Sequence, residues 1–214
     1  MACSAYSTIQ FADIILSLSQ RRRLFHSEAD LQHELGWELK TLIPHTHLRM
    51  EKPIVDQFGR GALDILAIVD DRRYGIELKF VKGPLVYVES GEEFRLSQHA
   101  YDFAAYDCCK DLERLEYLVQ DGQIDEGILI ILSNHPGFWE KKHKKLTLLD
   151  EFGLRHGRTL TGTLQWSEYA SSGTKAKREE PIQLMGTYEI VWQNYSDVKA
   201  KKGIFRWTII HVKD

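Results

Sequence analysis

Ile76-Glu77-Leu78-Lys79-Phe80, preceded across a short polar segment by Leu63-Asp64-Ile65, sets the reading of this chain. Ile76, Leu78 and Phe80 alternate with Glu77 and Lys79, the pattern of a strand that carries its charged pair on one face. Gly61 to Val69 reads as the strand before it, and Asp70-Asp71-Arg72-Arg73 as the turn of a hairpin. With Val69 opposite Tyr74, the register sets Asp64 opposite Lys79 and Leu66 opposite Glu77. Asp64, Glu77 and Lys79 then share one face, with Asp64 and Glu77 diagonal neighbours about 7–8 Å apart at the backbone; a one-residue bulge would break this register. Charges set among Ile, Leu and Phe are costly to bury unless something pairs with them. Two converging anions and a cation are what a divalent metal and a phosphodiester require. Mg²⁺ is held by one or two carboxylates, waters and phosphate oxygens, and a neighbouring lysine orients water or stabilises negative charge. The plainer reading is a solvated hairpin with one cross-strand ion pair, worth under about 1 kcal/mol.

Upstream, Ser27-Glu28-Ala29-Asp30 has the form of a helix start, with Ser27 as N-cap and Asp30 reaching back as in a capping box. The helix is predicted to run to about Leu42, before Pro44. Leu31, Leu35, Leu39 and Leu42 form one stripe, and Glu28 falls inside it, aimed at the sheet. A first-turn glutamate is also what the helix dipole favours, which is the structural alternative. Downstream, Ser97 to about Val119 has a stripe of Tyr101, Ala104, Ala105, Cys108, Leu112, Leu115 and Val119. Gln98 enters that face in the first turn, while Asp102, Asp107, Asp111, Glu113 and Arg114 mostly decorate the solvated flank. Gly127 to Leu132 is a continuous apolar run, as in strands covered on both faces.

This order (helix with a leading Glu, strand with Asp, strand with Glu-x-Lys, helix, buried strand) resembles the PD-(D/E)XK, or restriction-endonuclease-like, nuclease superfamily over residues 24 to 134. Phe25-His26-Ser27-Glu28-Ala29-Asp30-Leu31-Gln32-His33 together with Ile76-Glu77-Leu78-Lys79 is similar to small bacterial members. The resemblance implies an α/β fold with a central mixed β-sheet flanked by helices and a restriction-endonuclease-like core. It implies metal ligands at Asp64, Glu77 and Glu28, and Lys79 acting on the nucleophilic water. Gln98 matches the glutamine of some branches loosely. Mg²⁺ would be the cofactor, with Mn²⁺ as substitute, and a nucleic acid the partner, DNA before RNA. Two departures stand out: Leu63 replaces the motif proline, and Gln98-His99-Ala100-Tyr101 is one residue shorter than Q-x-x-x-Y. The alternatives are a catalytically inactive nucleic-acid- or protein-binding module of the same fold, or an accessory subunit of a restriction or phage-defence system. A homodimer is the oligomer that paired cuts would suggest.

At 214 residues the chain is long enough for one well-packed α/β domain, in which 24–134 forms the core and 135–214 an elaboration. No apolar run reaches the roughly 18 residues that span a bilayer, and the N-terminus lacks a secretory pattern. Three cysteines without ligand spacing fit a reduced, cytoplasmic setting. Nine histidines include His45-Thr46-His47, His26 and His33, but no spacing recognisable as a tetrahedral zinc site. Neither a Gly-x-Ser-x-Gly turn nor a phosphate-binding glycine loop is present.

The net charge of −3 disfavours strong nonspecific nucleic-acid binding. Basic residues are nevertheless clustered at Arg21-Arg22-Arg23, Lys141-Lys142-His143-Lys144-Lys145, Lys175-Ala176-Lys177-Arg178 and Lys199-Ala200-Lys201-Lys202. Phe11 to Ser19 reads as an amphipathic helix and Phe138 to Asp150 as a helix with a basic side. Glu168 to Pro181 reads as a loop. Thr187 to Trp192 and Ile204 to Ile210 are expected to pair as a late hairpin. Trp192, Tyr195, Arg206 and Trp207 are expected to pack within the fold rather than stack on bases.

Overall fold

The computed structural model describes residues 9–56, 59–140, 151–168, 170 and 172–213. In chain order the elements are α1 (Phe11–Arg21), α2 (Glu28–Leu42), β1 (His47–Asp56), β2 (Gly59–Val69), β3 (Arg72–Val81), β4 (Leu85–Glu89), β5 (Glu92–Leu96), α3 (Tyr101–Gln120), β6 (Glu126–Ser133), β7 (Thr159–Leu164), α4 (Ser172–Lys175), β8 (Ile182–Glu189), β9 (Gln193–Asp197) and β10 (Ile204–Val212). A central mixed sheet of six strands runs β1-β2-β3-β6-β10-β9, in which β3 and β6 are parallel and the other pairs antiparallel. The parallel pair requires a crossover, and α3 supplies it, with the β4–β5 hairpin inserted before the helix.

The sheet is covered on both faces. Leu129 and Ile131 of β6 pack with α3, while Ile128, Ile130 and Leu132 pack in the cluster that contains α1 and α2. This double burial is why β6 is apolar without alternation, and all of its residues are buried. The α3 side also holds the β7–β8 hairpin and an aromatic group that includes Phe138, Phe152, Trp166 and Trp192. Gly75 and Gly127 sit side by side in the β3–β6 register. A Cβ on Gly127 would meet the Cβ of Leu115 at 2.9 Å, so the bare backbone there lets α3 settle closely onto the sheet.

Local signals explain the first helices. Ser27 Oγ accepts the Asp30 amide at 3.1 Å, capping α2 as its sequence predicts. Asp30 reaches back one residue further than a capping box requires, accepting from the His26 amide at 2.9 Å and pairing with Arg22. The leucine stripe is buried at Leu31, Leu35 and Leu39, but Leu42, in the last turn, is exposed. The amphipathic α1 packs into the same cluster through Phe11, Ile14, Ile15 and Leu18.

Four expectations are corrected. The hairpin turn is two residues, not four: Val69 pairs with Arg72, and Asp70 and Asp71 both take positive φ (48° and 64°), as tight hairpins demand. The register therefore moves by two residues, and the ladder ends at Ile65–Ile76, so Asp64 is paired with neither Lys79 nor Glu77. Helix α3 starts at Tyr101, so Gln98 lies ahead of it rather than in its first turn. The late hairpin is β9 with β10, whereas Thr187 to Glu189 belong to β8, which pairs with β7. Residues 135–214, expected as an elaboration, thus supply β9 and β10 to the central sheet.

Trp192, Tyr195 and Trp207 are buried, and the Arg206 guanidinium lies 5.4 Å from the Trp139 ring centre, in keeping with a packing role. A single helical turn, α4, interrupts the expected loop over 168–181. A short 3-10 turn at Pro136–Phe138 ends at the first residue of the segment predicted as a basic helix, and of that segment Lys141 to Asp150 lie outside the described residues. Among the described residues, no helix is long and apolar enough to cross a membrane.

Candidate carboxylate site at the β2–β3 fork

The site forms where two strands part. β2 and β3 pair from Val69–Arg72 to Ile65–Ile76 and no further, although β3 continues beside β6 to Val81. The parting has a local cause in β2. Ile65 and Ala67 pack on the α1–α2 side, but Leu63 packs on the α3 side, so the strand changes face at Asp64. On β1 the register skips Glu51, at φ 48°, between the pairs Met50–Ile65 and Lys52–Leu63.

Beyond the fork, two carboxylates replace the missing strand. Asp64 Oδ2 accepts the Leu78 amide at 2.7 Å, and Glu28 Oε2 accepts the Phe80 amide at 2.7 Å. Alternate amides of a strand point to the same edge, so both bonds fall on the edge that β2 has left. Glu28 opens α2, and the Ser27 cap fixes where that first turn begins. Gln32, one turn later, ties the fork from the other side: its Nε2 donates to Asp64 O at 2.6 Å and to Glu51 Oε1 at 2.8 Å.

Glu77 and Lys79 point towards α3. Lys79 Nζ lies 2.7 Å from Asp111 Oδ2, and Glu77 Oε1 lies 2.9 Å from an Arg114 terminal nitrogen. That nitrogen also bonds Asp111 Oδ1 at 2.6 Å. Asp111 and Arg114 were expected on the solvated flank of the helix. Asp111 is instead buried and Arg114 partly so, because α3 sits close enough to the sheet for their side chains to meet β3. Glu113 is buried as well, pinning the Gln183 amide of β8 at 2.8 Å.

The electrostatics are those of a surplus of anions. Glu28, Asp64, Glu77 and Asp111 face Lys79 and Arg114, four carboxylates to two cations. Burial pushes the Asp64 carboxyl above its usual range against the Leu78 amide bond, and Glu28 and Asp111 add to it. Glu77 is raised further, by near-complete burial and then by Asp111, with Arg114 opposing. Burial alone would lower the Lys79 ammonium, but Asp111 outweighs it and holds the lysine protonated, above the ordinary value.

Glu28, Asp64, Glu77 and Lys79 thus fall in one electrostatic cluster. Gln98 is exposed and lines an adjoining cleft of about 410 Å³, shared with Glu28, Lys79, His99 and Phe103. Asp111, Arg114 and Gln32 were missed as site residues. A signal for Asp111 exists in its spacing, three after Cys108 and four before Leu115, which puts it at the margin of the apolar stripe. Among the described residues, no group of three or more His, Cys, Asp or Glu side chains is gathered to hold a metal. Comparison with known protein families, with characterised proteins and with solved structures finds no match for this chain.

Proposed function

We propose that the fork is the active site of a metal-dependent nuclease that hydrolyses phosphodiester bonds, DNA before RNA. The observation that carries this is the pair of carboxyl groups, Asp64 and Glu77, set at the parting of two strands in a cluster with two more carboxyl groups than cationic side chains, both of them raised by burial and by their acidic neighbours. Such a surplus suits a divalent cation. The donor set fits Mg²⁺ or Mn²⁺, which need only one or two carboxylates and complete their shells with water and phosphate oxygens. Glu77 Oε1 is enclosed and ion-paired to Arg114 at 2.9 Å without an aligned hydrogen bond, so it keeps a lone pair for an ion.

Asp64 and Glu77 would hold the ion, and Glu28, bonded to the Phe80 amide, would support it from α2. The chemistry such an ion supplies is a lowered pKa for a bound water and neutralisation of charge on the phosphate. Lys79 carries its proton, so its role is that of a cation and hydrogen-bond donor rather than a base. It orients the attacking water or steadies the negative oxygens as water adds to phosphorus and an ester oxygen leaves. Asp111 keeps the lysine charged and fixes where its ammonium stands. The fork itself keeps Asp64 and Glu28 rigid through backbone amides, so little reorganisation is left for the reaction to supply.

The test is cleavage of supercoiled plasmid, linear duplex and single strands with Mn²⁺, comparing wild type with Lys79→Ala and Asp64→Asn. Either substitution is expected to lower the rate by about a hundredfold or more. Cleavage that both variants retain at the wild-type rate, or none by wild type on any substrate, overturns the reading.

A further inference from the structure

The ion pairs behind the fork form a chain in the order Glu77, Arg114, Asp111, Lys79, linked at 2.9, 2.6 and 2.7 Å. Two residues apart on a strand meet three apart on a helix, so two short rows of charge face each other. The match is incomplete. Asp111 Oδ2 is taken by the Lys79 ammonium, whereas Glu77 Oε1 is enclosed within ionic reach of Arg114 without a hydrogen bond in line. Arg114 therefore neutralises the most buried carboxylate of the cluster without saturating it.

We propose that Arg114 is a resident cation of the carboxylate site, competing with a divalent ion for Glu77, and that Asp111 is the positioning residue that retains Arg114 when Glu77 turns away. This rests on the nuclease reading, since that reading assigns Glu77 to the ion. Two cations cannot share one buried oxygen closely without mutual repulsion, and water screens them poorly there. Asp111 already bonds the same Arg114 nitrogen, so the guanidinium keeps a partner when Glu77 is withdrawn. The arrangement lets the protein fold with Glu77 buried before any ion arrives, at the cost of a weaker ion site.

Calorimetric titration of Mn²⁺ into the full chain tests this, using wild type, Arg114→Gln, Arg114→Lys and each combined with Asp64→Asn. Circular dichroism confirms that each variant is folded. Removing the competing charge in Arg114→Gln is expected to tighten Mn²⁺ binding roughly tenfold. The same variant should melt earlier without metal and gain more from it. Arg114→Lys keeps a charge too short to span Glu77 and Asp111, and should tighten binding by a smaller factor. Should Arg114→Gln fail to fold, Arg114→Lys carries the test, and affinity equal to wild type then overturns the proposal. Binding by wild type with equal or weaker binding by folded Arg114→Gln overturns it while leaving the nuclease reading intact. Binding by Arg114→Gln alone supports it. No binding by any variant, or binding unchanged by Asp64→Asn, overturns both.

Discussion

The carboxylate of Asp64, one residue past the last β2–β3 ladder pair, accepts a hydrogen bond from the amide of Leu78, two residues past it, at 2.7 Å. A side chain thus does at this level what a strand does below it. Asparagine retains an acceptor oxygen in nearly the same place, whereas alanine leaves a partly buried N–H without a partner. Asp64→Asn is expected to keep stability within about 1 kcal/mol of wild type, and Asp64→Ala to lose about 1–3 kcal/mol. Urea denaturation of both decides the matter, and equal midpoints would refute a structural role for the bond.

Glu116 of α3 anchors the outer hairpin. Its carboxylate accepts from the amides of Met185 and Gly186 at 3.0 and 2.7 Å and from the Tyr188 hydroxyl at 2.6 Å. Glu116→Ala strands all three donors and is expected to cost about 2–4 kcal/mol. Hydrogen exchange should show faster exchange at Met185 and Gly186, with the β3–β6 amides less affected. Tyr188→Phe removes one donor and should cost about 1 kcal/mol.

Acid should weaken the junction of β6 and β10. Burial disfavours the Glu126 carboxylate, but hydrogen bonds to His211 and Lys213 prevail and hold its pKa below the ordinary value. A carboxyl that is more acidic folded than unfolded stabilises the native state fully above its unfolded pKa, about 4.3. That contribution fades as pH falls from there through the lower native value. The melting-temperature difference between wild type and Glu126→Gln should therefore hold from pH 7 to about pH 5 and shrink below about pH 4. A difference that stays constant down to pH 3 would contradict this.

Cys108 and Cys109 are adjacent on α3 and both fully enclosed. Burial raises both thiols, Cys109 to about 12, so little thiolate exists at neutral pH. In a Cys3→Ser background, which leaves Cys108 and Cys109 as the only thiols, alkylation at pH 8 should be limited by unfolding. Rapid modification of the native protein, without denaturant, would count against that burial.

Much of the site was legible because the strand code is short. Two-residue alternation placed Glu77 and Lys79 on one face, and a helix cap plus a leucine stripe placed Glu28 over the sheet. The register was misjudged because Arg72 and Arg73 look like turn residues, yet the left-handed angles of Asp70 and Asp71 close the turn without them. Asp111 and Arg114 were misread for a different reason. Charged residues on a helix usually face water, and their burial here depends on α3 pressing onto Gly127, a tertiary fact that helical period does not encode. The change of face at Asp64 was likewise invisible, since Leu63 and Ile65 are equally apolar on either side.

Along fewer than two turns, α3 spends alternate charged side chains in different directions, Asp111 and Arg114 on β3, and Glu113 and Glu116 on β8. One residue inserted or deleted within that span would turn everything beyond it by about 100° and unhook one set of partners from the other. Length changes are consequently intolerable between Asp111 and Glu116, whatever residues are supplied.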